Sequence, residues 1–168
     1  MKKYIIINGT MGAGKTTVGR RVCEMLGRSA FIDGDFCIEI HPFVGNAETK
    51  AMARDNILYM SKNYYNCSEC DTVVLSWIMS ENTVKKIISG LSDIDFKIYK
   101  FILTCRKEIL TDRWKKDTAN DWRNDENLNT AVNMLDNFSK HTECIFIDTS
   151  DLSVDTAAEK IIEVILNG

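Results

Sequence analysis

The chain has 168 residues, of which 45% are hydrophobic and 27% are charged, as is typical of a globular protein with one domain spanning 1–168. Its 21 lysines and arginines stand against 24 aspartates and glutamates, and the net charge of −3 argues against nonspecific nucleic-acid binding. A single proline and the lack of any apolar run near 18 residues argue against proline-rich linkers and a membrane-spanning helix.

The first half of the chain predicts two strands and two helices. The apolar run within residues 1–8 is too short for a signal peptide, so we expect a cytoplasmic protein without a membrane partner. Within them, residues 4–7 form an apolar run that is typical of a strand buried on both faces. Apolar residues then recur at helical spacing from Val18 until Gly27 ends the pattern. Residues 30–32 predict a second strand, and 48–65 predict a helix.

The second half continues the alternation of strands and helices. Apolar runs and stripes predict, in order, a strand at 72–77, a helix at 84–91, a strand at 96–104, a helix from 109, a helix at 128–138, a strand at 144–147 and a helix at 154–165. Residues 115–127 are polar with few apolar anchors, and they predict a mobile excursion.

This alternation predicts the fold class. Five strands separated by helices favour an α/β three-layer sandwich, in which helices cover both faces of a parallel sheet. Ligands of such sheets bind at the carboxyl ends of the strands.

A phosphate-loop motif lies between the first predicted strand and the first predicted helix. Residues 9–16 read Gly-Thr-Met-Gly-Ala-Gly-Lys-Thr and satisfy G-x-x-x-x-G-K-[ST]. Its glycines allow close approach to a ligand, its N–H groups can cradle phosphates, and the helix adds partial positive charge. Lys15 would reach the β- and γ-phosphates and Thr16 would bind Mg²⁺. The predicted nucleotide-binding residues here are Gly9, Met11, Gly12, Ala13, Gly14, Lys15, Thr16 and Thr17.

Two other nucleotide-binding patterns are absent. The dinucleotide fingerprint G-x-G-x-x-G fails because Thr17 stands at its third glycine position. The D-x-x-G and N-K-x-D patterns of regulatory GTPases do not occur. A phosphate loop alone does not name a reaction, because kinases, switches and motors share it.

Asp33 and Asp35 form a second constellation after the second predicted strand. Two carboxylates beside a phosphate loop can divide two tasks, one holding Mg²⁺ and the other orienting or deprotonating an acceptor hydroxyl. A solvated turn is the alternative interpretation of the Asp-Gly-Asp sequence.

Asn8 to Arg21, together with Phe31 to Glu39, resembles shikimate and gluconate kinases. More broadly, the chain is similar to the small P-loop kinases that include adenylate kinase and chloramphenicol phosphotransferase. The resemblance implies a five-stranded parallel sheet of order 2-3-1-4-5, with ATP and Mg²⁺ as cofactors. It also implies an acceptor-binding region at about 36–65 and a lid at about 114–127. Asp33 would lie near the metal with Thr16, and Asp35 near the acceptor.

The lid arginines follow from the same resemblance. Phe101 to Arg113 is similar to the family's exit from the fourth strand, which implies that Arg113 lies against the adenine or the phosphates. A second lid arginine is expected four to seven residues later, where this chain has Asp117, so Arg123 is the next candidate. The predicted catalytic residues are therefore Lys15, Asp35, Arg113 and Arg123.

Two departures from the family bear on the acceptor. Shikimate kinases carry a glycine triplet after the third strand, where this chain has Leu75-Ser76-Trp77-Ile78. Nucleoside monophosphate kinases often end that strand in aspartate, the position of Ser76 here. The missing glycine triplet disfavours shikimate as the acceptor. The Asp-Gly-Asp sequence and the absent aspartate slightly favour a hydroxyl acceptor, gluconate-like or antibiotic-like, over a nucleotide.

The lead hypothesis is an ATP-dependent kinase of a small molecule, acting as a monomer or homodimer. A nucleotide kinase is one alternative, and a regulatory nucleotide-binding module, favoured by Asp117, is another. A third alternative, a cysteine-based redox or zinc protein, rests on Cys67 and Cys70. These two of the six cysteines form one C-x-x-C. A structural zinc site needs four ligands, and no second pair lies nearby, so we expect reduced thiols there.

Overall fold

Five parallel strands form the sheet, in the predicted order β2-β3-β1-β4-β5. The computed structural model describes residues 1–117, 123–138, 141 and 143–168. The strands are β1 (Lys2–Gly9), β2 (Ser29–Asp33), β3 (Thr72–Ser76), β4 (Phe96–Thr104) and β5 (Ile145–Asp148). The helices are α1 (Lys15–Leu26), α2 (Ala47–Asn66), α3 (Glu81–Gly90), α4 (Lys107–Lys116), α5 (Asp125–Phe138) and α6 (Val154–Asn167), with a short 3-10 helix at Phe36–Ile38.

The central strand β1 is buried on both faces, as its apolar run predicts. Tyr4 and Ile6 pack into one core with residues of α2 and α3, whereas Ile5 and Ile7 pack into a second core with residues of α1 and α6. This alternation along one strand is why helices must cover both faces of the sheet. The α/β three-layer sandwich is therefore confirmed.

Both ends of the polar segment at 115–127, for which we expect a mobile excursion, are helical. Helix α4 continues through Lys116, and α5 begins at Asp125, three residues before the predicted stripe. The charges of this segment suit those helix ends, because α4 has basic residues in its last turn and α5 has acidic residues in its first. Residues 118–122 of the predicted lid lie outside the described residues.

All six cysteines are free thiols. Cys67 is the C-cap of α2, and the buried Cys70 thiol donates to the carbonyl of Thr72 at 3.3 Å. In the described ranges, no three His, Cys, Asp or Glu residues come together as a metal cluster would require. Among the same residues, no helix has both the length and the apolar composition needed to cross a membrane.

The turn after β2 is packed against the residue that follows β3. A Cβ atom on Gly34 would lie 2.1 Å from Cγ and 2.5 Å from Cβ of Trp77, atoms that cannot swing away as a flexible side-chain end could. Trp77 is buried, so it has little room to move. Glycine at position 34 therefore lets the turn carrying Asp35 lie directly on Trp77.

We expect Gly34→Ala to lower the free energy of unfolding by about 1–3 kcal/mol, because the added methyl group overpacks the Trp77 contact. Urea unfolding followed by circular dichroism measures the change. Gly45→Ala is the matched control, since its Cβ would meet only the exposed Phe43 ring at an ordinary 3.4 Å. Equal unfolding midpoints for the two variants would contradict this description of the turn.

Candidate functional site

A cavity of about 420 Å³ opens at the carboxyl ends of the strands. Seven of the eight residues predicted for the phosphate loop line it, Met11, Gly12, Ala13, Gly14, Lys15, Thr16 and Thr17. Asp35, Arg113, Asp117 and Arg123 line it as well. The structure thus brings the predicted loop, one carboxylate of the Asp pair and both candidate arginines to one cavity.

Gly9 is outside that lining. It ends β1 with a φ of 141°, and a Cβ there would lie 2.5 Å from the carbonyl oxygen of Leu103 in β4. Its observed contact is with the neighbouring strand, so a direct role for Gly9 in nucleotide binding stays a prediction.

The start of α1 has the backbone of an anion-binding site. Gly12 and Gly14 adopt left-handed φ values of 79° and 92°, which turn the loop toward the helix end. No side chain in the described part of the chain caps α1 at Gly14, whereas Asn46, Ser80 and Ser153 cap α2, α3 and α6. The first N–H groups of α1 can therefore serve a phosphate, with the helix dipole adding to the attraction.

Asn8 anchors the loop to the segment that follows β3, a role that the sequence analysis missed. Its buried side-chain oxygen accepts from the N–H groups of Gly9 at 2.8 Å and Met79 at 2.9 Å, and its Nδ2 donates to the carbonyl of Met79 at 2.8 Å. A polar residue at the end of an otherwise apolar strand was the available signal, since a buried amide needs partners.

Lys15 has an unusual electrostatic position. Its Nζ donates to the carbonyl of Thr10 at 2.9 Å, and burial lowers its pKa to about 8, although Asp35 and Asp33 oppose the shift. The ammonium group therefore gains from an incoming anion, because its partial burial reduces its solvation.

Thr16 and Asp33 meet where a metal ion would be bound. The Thr16 hydroxyl donates to Oδ2 of Asp33 at 3.1 Å, and Oδ1 of Asp33 accepts from the N–H of Asp35 at 3.1 Å. A hydroxyl and a carboxylate in contact are hard oxygen donors that fit Mg²⁺. Ser76 pairs with Asp33 across β2 and β3, and its buried Oγ lacks a hydrogen-bond partner among the residues described. Such a hydroxyl suits a bridging water beside Thr16 and Asp33.

Asp35 has the electrostatics of a proton acceptor. Although Asp35 is an exposed residue, partial desolvation of its carboxylate and the neighbouring charge of Asp33 raise its pKa, while Lys15 and a hydrogen bond from Trp77 act in the opposite direction. The two predicted carboxylates thus differ in environment, since Asp33 is tied to Thr16 and Asp35 faces the cavity with Lys15. Environments that differ in this way are typical of carboxylates with separate roles.

Thr149 holds Arg113 against the cavity wall. The guanidinium donates through Nη1 to Oγ1 of Thr149 at 3.0 Å and through Nη2 to its carbonyl at 2.7 Å. Thr149 is itself buried and donates to the carbonyl of Thr104 at 3.1 Å. The sequence analysis predicted Arg113 but missed this anchor, which depends on a contact between α4 and the loop after β5.

Arg123 lies beside the phosphate loop, where Trp114 of α4 and Asp117 at the end of α4 hold its side chain. Its guanidinium pairs with Asp117 at 2.6 Å and stacks 4.7 Å from the Trp114 ring. A Cβ on Gly12 would lie 3.8 Å from Nη1 of Arg123. Asp117 stands where the family resemblance leads us to expect a lid arginine. In the structure its carboxylate instead pairs with Arg123, the next candidate for that arginine.

Sequence comparison identifies the family. The model of the AAA domain family matches residues 5–133, which is more than half of the chain. No curated protein sequence matches the chain.

Structural comparison finds the same fold in small kinases. The tunicamycin resistance protein of Deinococcus radiodurans superposes with a TM-score of 0.72 at 20% identity, covering 98% of this chain and 96% of that one. A shikimate kinase from Acinetobacter baumannii, in complex with shikimate, gives 0.66 at 22% identity and covers 99% and 94%. A gluconokinase from Sinorhizobium meliloti gives 0.68 at 14% identity and covers 98% and 96%. Identities this low show a shared fold alone, the fold of the small P-loop kinases. Because the family model matches residues 5–133, the chain belongs to the AAA domain family.

Proposed function

We propose that the protein is an ATP-dependent kinase that transfers the γ-phosphoryl group of Mg-ATP to a hydroxyl group of a small molecule. One observation carries the proposal: Asp35, a carboxylate with a raised pKa, faces the phosphate-loop cavity together with Lys15. Nucleotide binding alone does not need a proton acceptor beside the phosphates, whereas transfer to a hydroxyl group does.

The cavity supplies the groups that a triphosphate needs. The backbone at the start of α1 and the Lys15 ammonium group would bind the phosphates, and Arg113 would contact the base or the phosphates. Thr16 and Asp33 would hold Mg²⁺, which when bound neutralises charge on the phosphate oxygens.

The transfer step uses the two kinds of charge in the cavity. The acceptor oxygen attacks the γ-phosphorus, and Asp35 takes the hydroxyl proton as the new P–O bond forms. The bond from the γ-phosphorus to the bridging oxygen breaks, and ADP leaves with those electrons. Lys15, Arg113 and Arg123 stabilise the negative charge that spreads over the transferring group.

The similar structures agree with this chemistry without naming the acceptor. Two of the three are kinases by name, and one of them holds shikimate. A regulatory module without phosphotransfer is the alternative from a different class, and the role of Asp35 distinguishes the two.

We expect Asp35→Asn to slow acceptor-dependent ADP release by about 10²–10⁴-fold, because an amide cannot take the hydroxyl proton. The dissociation constant of Mg-ATP should change little, since the phosphate-binding groups are intact. A coupled assay of ADP release, with gluconate, shikimate, nucleosides, nucleotides and antibiotic alcohols as candidate acceptors, measures the first quantity. Calorimetric titration with Mg-ATP measures the second.

Asp95→Asn is the matched control for that variant, because Asp95 is an exposed carboxylate just before β4, at the end of the sheet away from the cavity. Undiminished ADP release by the Asp35→Asn variant would contradict the proposed role. A wild-type protein that binds ATP but responds to no acceptor would favour the regulatory module.

We further expect the affinity for Mg-ATP to fall as the pH rises through 8. The charged form of Lys15 binds phosphate, and with its pKa lowered to about 8 the free protein loses that charge above this pH. A single titration of this kind predicts a dissociation constant about tenfold higher at pH 9 than at pH 7. Titration with Mg-ATP at half-unit pH steps measures the curve.

Lys15→Arg should flatten that dependence, because a guanidinium stays charged throughout this range. Lys62→Arg, at an exposed lysine paired with Asp93, should leave the wild-type curve unchanged. A wild-type affinity that is constant from pH 7 to pH 9 would show that Lys15 does not titrate as described.

A further inference from the structure

Thr10, the second residue of the phosphate-loop motif, is fully buried and is not among the described residues that line the cavity. Its hydroxyl donates to the carbonyl of Ala131 in α5 at 2.6 Å, a contact across 121 positions of the chain. Its own carbonyl accepts from Nζ of Lys15 at 2.9 Å and from the N–H of Ala13 at 3.3 Å. Thr10 therefore connects α5 to the turn of the loop and to the ammonium group.

The bond from Thr10 to α5 is not one that the helix needs. The carbonyl of Ala131 lies inside α5, where it accepts the helical bond from the N–H four residues later. A carbonyl oxygen has two lone pairs, so the hydroxyl of Thr10 uses the second one. A valine of nearly the same shape would fill the buried space without a donor. The hydroxyl thus contributes a link between the loop and α5 that packing alone would not supply.

Two glycines make the backbone around Thr10 easy to rotate. Gly9 and Gly12 adopt φ values of 141° and 79°, in the region that favours glycine. Between them, Met11 packs against the small core that α4 and α5 share. Both side chains between the glycines therefore contact the same pair of helices. Because a methionine side chain is flexible and a hydrogen bond is directional, Thr10 sets the orientation of this segment.

The same two helices hold the cations on the opposite wall of the cavity. Arg113 belongs to α4 and Arg123 lies two residues before α5, and both line the cavity with Lys15. The bond between Thr10 and α5 therefore fixes the separation between Lys15 on one wall and the arginines on the other. Groups that are fixed before a ligand arrives bind it more tightly, because less ordering accompanies binding.

We propose that Thr10 is a positioning residue for the bound phosphates, acting through its hydrogen bond to α5 rather than by contact with them. The bond keeps the Thr10 carbonyl directed at Lys15 and keeps the loop at a set separation from Arg113 and Arg123. A regulatory nucleotide-binding module would need this arrangement as much as a kinase does. Only an effect on phosphoryl transfer rests on the proposed function.

Thr10→Val removes the hydroxyl and keeps the volume of the side chain. We expect it to raise the dissociation constant of inorganic triphosphate with Mg²⁺, a probe without base or sugar, by about fivefold, the size of one lost neutral hydrogen bond. Thr10→Ser keeps the hydroxyl and should bind the probe within about twofold of the wild type. Calorimetric titration at pH 7 measures the three constants.

Thr72→Val is the matched control for these variants. Thr72 is also buried, but it begins β3 at the end of the sheet away from the cavity. This substitution can change the stability of the fold, and it should leave the affinity for triphosphate unchanged.

The pH dependence of Mg-ATP binding distinguishes positioning from a general loss of stability. A carbonyl that is held less firmly stabilises the Lys15 ammonium group less, so the midpoint of the curve should move to a lower pH in Thr10→Val. Thr72→Val should keep the wild-type midpoint. Wild-type affinity for triphosphate in Thr10→Val, affinity as weak in Thr10→Ser as in Thr10→Val, or an unchanged midpoint in Thr10→Val would each overturn the inference.

ADP release separates this inference from the proposed function. If an acceptor stimulates ADP release by the wild type and Thr10→Val binds triphosphate normally, the inference fails and the kinase stands. If Thr10→Val binds triphosphate more weakly, Thr10→Ser restores binding and no acceptor stimulates the wild type, the inference stands and the proposed function fails.

Discussion

The site depends on one poorly solvated charge, the ammonium group of Lys15. Among the described residues its hydrogen-bond partner is the carbonyl of Thr10, and burial lowers its pKa to about 8 despite two nearby carboxylates. A cation held in this way is stabilised far more by a bound phosphate than a cation in water would be, because the surrounding dielectric is low. The loop, the helix start and the two aspartates all lie within reach of that charge.

The order of the strands determines which groups can meet there. Because β1 lies between β3 and β4, the phosphate loop leaves the sheet next to Ser76 on one side and Leu103 on the other. The contact of Gly9 with Leu103 and the hydrogen bonds of Asn8 to Met79 fix the loop to both neighbours. Because β2 lies beyond β3, the Asp pair is on the side of β1 away from β4. The arginines reach the cavity from the other side, Arg113 from α4 and Arg123 from the chain that follows α4.

What the sequence predicted well are features that local residues determine. The apolar run of β1, the stripe of α1 and the loop between them depend on neighbours in the chain, so the order of elements and the phosphate loop were predictable from the residues. The strand order came from the family resemblance.

The contacts that define the environment of each site residue span long distances in the chain. Thr149 and Arg113 are 36 residues apart, and the amide of Asn8 bonds Met79 at a separation of 71 residues. No spacing rule reports such pairs. The start of α5 was missed for a different reason, because polar residues such as Asp125 begin that helix through favourable charge at its N-terminus rather than through an apolar stripe.

Asp117 has a different effect on the charge of the site than the sequence alone indicates. As a substitution for an expected arginine it removes a positive charge from the lid. In the fold it pairs at 2.6 Å with Arg123, whose side chain is only 13% exposed, so it compensates a cation that burial would otherwise destabilise. Among the described residues, Lys15, Arg113 and Arg123 share the cavity and its border with Asp33, Asp35 and Asp117, a balance of three positive and three negative groups. A phosphate that enters would meet all three cations, and under the proposed function Asp33 would then hold the metal and Asp35 would take the acceptor proton.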